Sequence, residues 1–216
     1  TYDQDMVIIR TRLQWILLLA FLTFLCTIPL YAPEAWVRFI IMIFITIIAV
    51  QGLSILTGYC GQINVGQSAF MMVGAFTSGL LTYLADWNFW LALPCAGILA
   101  ALTGVIFGLP TARVKEIYLA LTTLAAQFIL LWVGFYQTPK RMGSTGFRAP
   151  APAIGDFVFD TYQEYYYFAL FFCILFVFIA KSIVRSGLGR AFVAIRDNDI
   201  AAEAMGINIY YYKLVA

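Results

Sequence analysis

The sequence predicts an all-α, polytopic transmembrane helical bundle of about six spans with the start of a seventh. Three observations predict it. The 216 residues are 63% hydrophobic and 11% charged, with a mean hydropathy of +0.89, whereas a soluble domain carries roughly 25% charged residues. The apolar residues fall in runs close to the ~17–25 residues that cross a hydrocarbon core as a helix. The basic residues collect in alternate connections between those runs, the asymmetry that orients membrane proteins.

Residues 1–12 are polar, and Arg10 and Arg12 lead into the first apolar run, 14–30. That run lacks a small-x-small cleavage site and reads as a retained span, not a removed signal. Residues 35–56 form the second span, with Arg38 one turn inside its start, where it snorkels to the headgroups. Residues 57–70 follow, rich in Gly, Gln, Asn and Ser and free of charge. An uncharged loop of this kind suits membrane depth when it lines a cavity or packs on protein, and broken helices mark translocation paths; the competing reading is an ordinary tight loop. The third span, 68–84, is short and brings Gly74, Ala75, Ser78 and Gly79 to one side for close packing. A turn at 86–88, flanked by Trp87 and Trp90, leads to the fourth span, 89–111.

Arg113, Lys115 and Glu116 make a charged turn before the fifth span, 117–136. Thr122, Thr123 and Gln127 in that span should face the bundle or a cavity, because lipid offers them no partner. Residues 137–163 read as an irregular outer loop, with Pro150 and Pro152 barring a helix there. The sixth span, 164–180, opens on an aromatic belt at Tyr165, Tyr166 and Tyr167, and residues 210–216 begin a seventh. The chain opens on Thr1 and closes just as that apolar run starts, so a piece of a longer, single-domain membrane protein is expected.

Residues 185–208 are the longest polar stretch. Gly187 and Gly189 loosen the backbone, and Asp197 or Asn198 can cap a short helix that stops at Gly206. Ile200, Ala201, Ala204 and Met205 form its apolar face, with Asp199 and Glu203 at i, i+4 beside it. Such a helix is equally a docking element for a partner and one that lies flat among headgroups. With the N-terminus inside, Arg10, Arg12, Arg113, Lys115, Lys181, Arg185, Arg190, Arg196 and Lys213 are cytoplasmic. Arg38, Lys140, Arg141 and Arg148 fall outside, which satisfies the positive-inside rule and puts this helix in the cytoplasm.

Several chemistries are excluded. There is no histidine, no CxxC pair among Cys26, Cys60, Cys95 and Cys173, and no phosphate-binding Gly-x-x-x-x-Gly-Lys. Neither a metal site, a catalytic centre nor a bound cofactor is expected, and a net charge of +2 without a separate basic patch argues against nucleic acid. No carboxylate pair lies within a span, which counts against a proton-coupled carrier. Uphill transport would draw its energy from another subunit, entering at the cytoplasmic helix. A stand-alone carrier or channel for a small polar solute is the alternative.

Gly58-Tyr-Cys-Gly-Gln-Ile-Asn-Val-Gly-Gln-Ser-Ala-Phe-Met-Met-Val-Gly-Ala-Phe76 resembles a Gly-Tyr-x-Gly-Gln segment of the ABC-transporter permeases for branched-chain amino acids. Glu116-Ile-Tyr-Leu-Ala-Leu-Thr-Thr-Leu-Ala125 is similar to a second segment of that family. The stretch Gly189-Arg-Ala-Phe-Val-Ala-Ile-Arg-Asp-Asn-Asp-Ile-Ala-Ala-Glu-Ala-Met-Gly-Ile-Asn208 matches its cytoplasmic motif almost position for position. Asn64 stands where the family usually has Ser, Gln67 where it has His or a similar residue, and Met142-Gly-Ser-Thr-Gly replaces a Thr-Gly-Gly loop.

The resemblance implies a non-catalytic inner-membrane permease subunit. It works with cytoplasmic ATP-binding subunits, a second permease (homologue or self) and a periplasmic substrate-binding protein. It also implies that 189–206 contains the coupling helix, with Gly189, Arg190, Ile195, Arg196, Asp197, Asn198, Asp199, Ile200, Ala201, Glu203, Ala204, Met205 and Gly206 as the ATPase-coupling residues. The outer loop from Lys140 to Arg148 would face the binding protein. Gln62, Asn64, Gln67, Ser68, Thr122 and Thr123 are candidate path-lining residues, each equally a helix-packing hydrogen bonder. The implied substrate is a branched-chain amino acid or a related small amide such as urea.

Overall fold

The computed structural model describes residues 12–111, 116–142, 151–154 and 157–216. Helix α1 (Arg12–Tyr31) turns at Ala32 and Pro33 into α2 (Glu34–Leu53), whose end widens into a π-helical turn (Ser54–Tyr59). A loop over 60–66 leads to α3 (Gln67–Leu84), then α4 (Phe89–Thr111) and α5 (Glu116–Met142). A minimal β pair, β1 (Ala153–Ile154) and β2 (Phe157–Val158), precedes the long α6 (Tyr162–Arg185). Three short helices follow: α7 (Gly187–Asp197), α8 (Asp199–Ala204) and α9 (Ile209–Val215).

Leu13–Tyr31, Glu34–Tyr59, Phe89–Leu109 and Tyr162–Arg185 are long and apolar enough to cross a membrane, and Ala120–Tyr136 is a shorter apolar stretch. Among the described residues this makes four candidate spans, not the expected six with a seventh beginning. Helix α3 carries Gln67, Ser68, Thr77, Ser78 and Thr82 in its 18 residues, which dilutes its apolar character. The outer faces of the long helices expose Leu17, Phe21, Met42, Ile106 and Phe178, a surface suited to lipid.

Helices α1, α2 and α6 share one core. Val37 and Phe44 of α2 meet Tyr166, Ala169, Leu170 and Cys173 of α6, with Leu25 and Ile28 of α1 packed alongside. Tyr166 is fully buried, stands edge-on to Phe44 at 5.3 Å and donates its hydroxyl to Leu25 O at 2.7 Å. The expected aromatic belt is therefore split: Tyr166 is core, while Tyr167 reaches Cys26 O at 3.0 Å. Arg38 lies 5.0 Å above the Tyr162 ring, a cation–π contact at the end of the span.

Helix α3 packs between α4 and α5. Small residues line these approaches: Ala69, Gly79 and Thr82 on α3, Ala92 and Ala96 on α4, and Ala126 on α5 are all buried. With no large side chain intervening, the backbones come close, which is how helices associate where lipid removes the hydrophobic drive. Phe168 of α6 ties the two groups together through Phe89 and Trp90 of α4, each at 5.9 Å.

The polar segments hold more helix than expected. The outer loop at 137–163 is helical as far as Met142, and the last turns of α5 include Pro139, which has no N–H to donate. Glu164 accepts from the Asp160 and Thr161 N–H groups at 2.9 and 3.1 Å and so starts α6. Gly187 and Gly189 do not loosen the chain; both lie inside α7, which Ser186 caps by accepting from Leu188 N–H. Arg10, Arg113, Lys115, Arg148 and the expected turn at 143–146 lie outside the described residues.

Candidate functional site

The site forms where the π turn and the 60–66 loop meet the short helices at one end of the bundle. The π turn displaces the backbone pairing: Cys60 N–H donates to Ile55 O and Gln62 N–H to Leu56 O, both at 3.1 Å. Gln62 is buried, and its amide donates to Lys213 O of α9 at 2.8 Å and to Cys60 Sγ at 3.3 Å. Asn64 Oδ1 accepts from Gly66 N–H at 2.8 Å and closes a tight turn. Gln67 donates to Ala49 O of α2 at 3.3 Å.

Helix α5 holds the loop from another side. The buried Thr123 hydroxyl accepts from Val65 N–H at 3.2 Å and donates to Ala120 O at 3.0 Å. A Cβ on Gly66 would sit 2.6 Å from Thr123 O, so glycine is what lets the two backbones touch. Thr122 bonds back to Tyr118 O at 2.8 Å, and Ser68 is exposed. Of the candidate path residues, the structure thus gathers Gln62, Asn64, Gln67 and Thr123 around one loop. Their polar groups are spent on the loop's own architecture.

The 189–206 segment presents two faces. Gly189, Ala191, Phe192 and Ile195 of α7 are buried, with Phe192 edge-on to Tyr212 of α9 at 6.3 Å. Arg190 is exposed. Arg196 donates through Nε and Nη2 to Asp197 Oδ1 at 3.1 and 3.0 Å, and through Nη1 to Gly58 O of the π turn at 2.9 Å. Asn198 is extended, with φ −161°, and separates α7 from α8, so the expected capped helix is preceded by a second one that was not expected. Its Oδ1 accepts from Ala201 N–H at 3.1 Å.

Helix α8 ends at Gly206 as expected, with φ +84°. Gly206 N–H donates to Glu203 O at 2.9 Å and Ile207 N–H to Ala202 O at 3.1 Å, a Schellman closure. Only Ala202 of α8 is buried. Ile200 is 78% and Met205 73% exposed, and Asp199, Ala201, Glu203 and Ala204 are exposed too. Ile200 and Met205 thus leave an exposed apolar edge on a doubly capped helix, beside two carboxylates.

Sequence reasoning missed the meeting of these segments. It also missed a cleft of about 210 Å³ beside the π turn, lined by Gln51, Ser54, Tyr59, Lys181 and Arg185. The uncharged glycines were the available signal for close backbone approach; the cleft had none.

Apolar spans, an uncharged loop pinned by several helices and an exposed capped helix at one end define a membrane protein of helical-bundle type. Over residues 35–216 the chain matches the family described as Branched-chain amino acid transport system / permease component, and it belongs to that family of ABC-transporter permeases. It is 28% identical over 227 residues to the high-affinity branched-chain amino acid transport system permease protein LivM of Escherichia coli K12, covering 94% of this chain and 53% of that protein. The probable branched-chain amino acid transport permease protein LivM of Methanocaldococcus jannaschii is 31% identical over 126 residues, 57% of this chain and 36% of its own length. The guanosine ABC transporter permease protein NupQ of Bacillus subtilis is 27% identical over 174 residues, 72% of this chain and 53% of its own. The chain spans about half the length of the curated relatives it matches first. No solved structure matches it.

Proposed function

We propose that this chain is part of the permease subunit of an ATP-driven importer in a bacterial inner membrane, with its N-terminus in the cytoplasm. Separate cytoplasmic ATP-binding subunits supply the energy. A second permease, homologous or identical, completes the path, and a periplasmic binding protein delivers the solute. The observation that carries this reading is the exposed helix α8, which starts three residues after Arg196, whose guanidinium reaches Gly58 O of the π turn. Ile200, Met205, Asp199 and Glu203 form the surface that seats in the ATPase, and residues 58–66 with Thr122 and Thr123 shape the wall of the path.

A branched-chain amino acid is the solute favoured by the LivM relatives. The relation to the guanosine permease favours a nucleoside as the second class. Asp199→Arg and Glu203→Arg, each in the assembled full-length complex, test the docking surface. Each reversal should lower solute-stimulated ATP hydrolysis and transport by about tenfold, the loss expected at a central contact. Wild-type transport in both variants would remove α8 from the interface.

A further inference from the structure

We infer that Arg196 is the positioning residue that carries movement of the 187–204 segment into the 58–66 loop, with Gly61 as the socket for its stem. This rests on the importer reading above. In an α-helix the N–H of Gln62 would take the carbonyl of Gly58; here the π turn sends it to Leu56 O at 3.1 Å. Gly58 O accepts Arg196 Nη1 instead, at 2.9 Å. Asp197 grips the other two guanidinium nitrogens at 3.1 and 3.0 Å and fixes the plane from which Nη1 points.

The stem is held as well as the head. Gly61 takes φ +76°, and a Cβ there would lie 2.9 Å from Arg196 Cγ and 3.4 Å from its Cβ. The arginine therefore lies directly on the loop backbone. Arg196 and Asp197 are 44% and 62% exposed, so the ion pair adds little to stability and its effect is orientation. One residue further along, Gln62 donates to Lys213 O, so the same loop is gripped from α7 and from α9. On its far side Thr123 holds Val65. A shift of α7 is thus passed to a loop that α9 and α5 also hold.

Arg196 does not touch solute or nucleotide in this account; it acts through the backbone of 58–61. The test uses the full-length permease assembled with its ATPase and binding protein in proteoliposomes, and reads solute transported per ATP hydrolysed. Gly61→Ala and Arg196→Gln should each lower that ratio by about fivefold or more, the low end of coupling between linked sites. Arg196→Lys, which can donate to Gly58 O but cannot form the fork, should recover part of the loss. A wild-type ratio in Gly61→Ala and Arg196→Gln overturns the inference. So does loss of bound ATPase in both, because Arg196 would then belong to the docking surface. If the wild-type protein binds no ATPase at all, the importer reading fails first.

Discussion

Gly189→Ala isolates the junction between the last span and the short helices. Helix α6 ends at Arg185, Ser186 caps α7, and Gly189 then lies against the last turn of α6. A Cβ built there falls 1.9 Å from Val184 O, 2.4 Å from its C and 2.6 Å from its Cα. All three are backbone atoms, so no side chain can swing aside, and the helices must part by roughly 1.5 Å. Parting withdraws the buried face of Gly189, Ala191, Phe192 and Ile195 from its neighbours. Overpacking of this kind costs about 1–3 kcal/mol, and a backbone clash belongs at the upper end. At ~2–4 °C per kcal/mol for a chain of this size, melting should fall by roughly 4–12 °C. Gly187→Ala is the matched control: its Cβ would meet only Arg190 Nη2, at 3.9 Å. In a helical position it should be neutral or stabilising by up to about 1 kcal/mol. Both melts are measured on the full-length protein in detergent. Equal melting temperatures for the two variants would refute the argument that backbone contact at Gly189 sets the junction.

Tyr166→Phe removes the 2.7 Å bond to Leu25 O while keeping the ring on Phe44; unfolding should show a loss of about 1 kcal/mol. Asn198→Ala deletes the cap on α8 and should cost about 1 kcal/mol locally, seen as faster hydrogen exchange over 199–205 with little change in global melting. Gly66→Ala drives a methyl to within 2.6 Å of Thr123 O, so it should reduce transport more than Gly74→Ala, whose Cβ meets nothing within 4 Å. Ile200→Asp with Met205→Asp should leave melting within about 0.5 kcal/mol of wild type, since both side chains are exposed. The same pair should abolish ATPase retention on a tagged permease.

The helices themselves were legible from hydropathy. The fourth apolar run coincides with α4, and α1 and α2 match their runs within a few residues, because a run of span length leaves the backbone no other way to satisfy its polar groups. Gly206 and Asn198 were legible as the stop and start of α8 through their local chemistry. Helix α7 was not, since Gly187 and Gly189 read as a loosened backbone although both lie inside it. Polar residues with Pro139 among them were read as loop at 137–142, although α5 runs on through Pro139 to Met142. For the site, the glycines and amides of residues 58–67 stood out by composition, but the distant partners of that segment lie at Ala49, Thr123, Arg196 and Lys213. No local pattern encodes those distant pairings. Tyr166 was misplaced for the same reason, as one of three adjacent tyrosines with nothing local to mark it as the buried one.

The central claim is that α8 and its flanking residues join a permease to an ATPase. Its most direct test is co-purification of the full-length, tagged protein, followed by ATP hydrolysis with and without binding protein loaded with leucine or with guanosine. The expected result is recovery of an ATP-binding subunit whose hydrolysis rises with one loaded binding protein and falls when Glu203 is reversed. A protein that purifies alone and moves solute without ATP would contradict it.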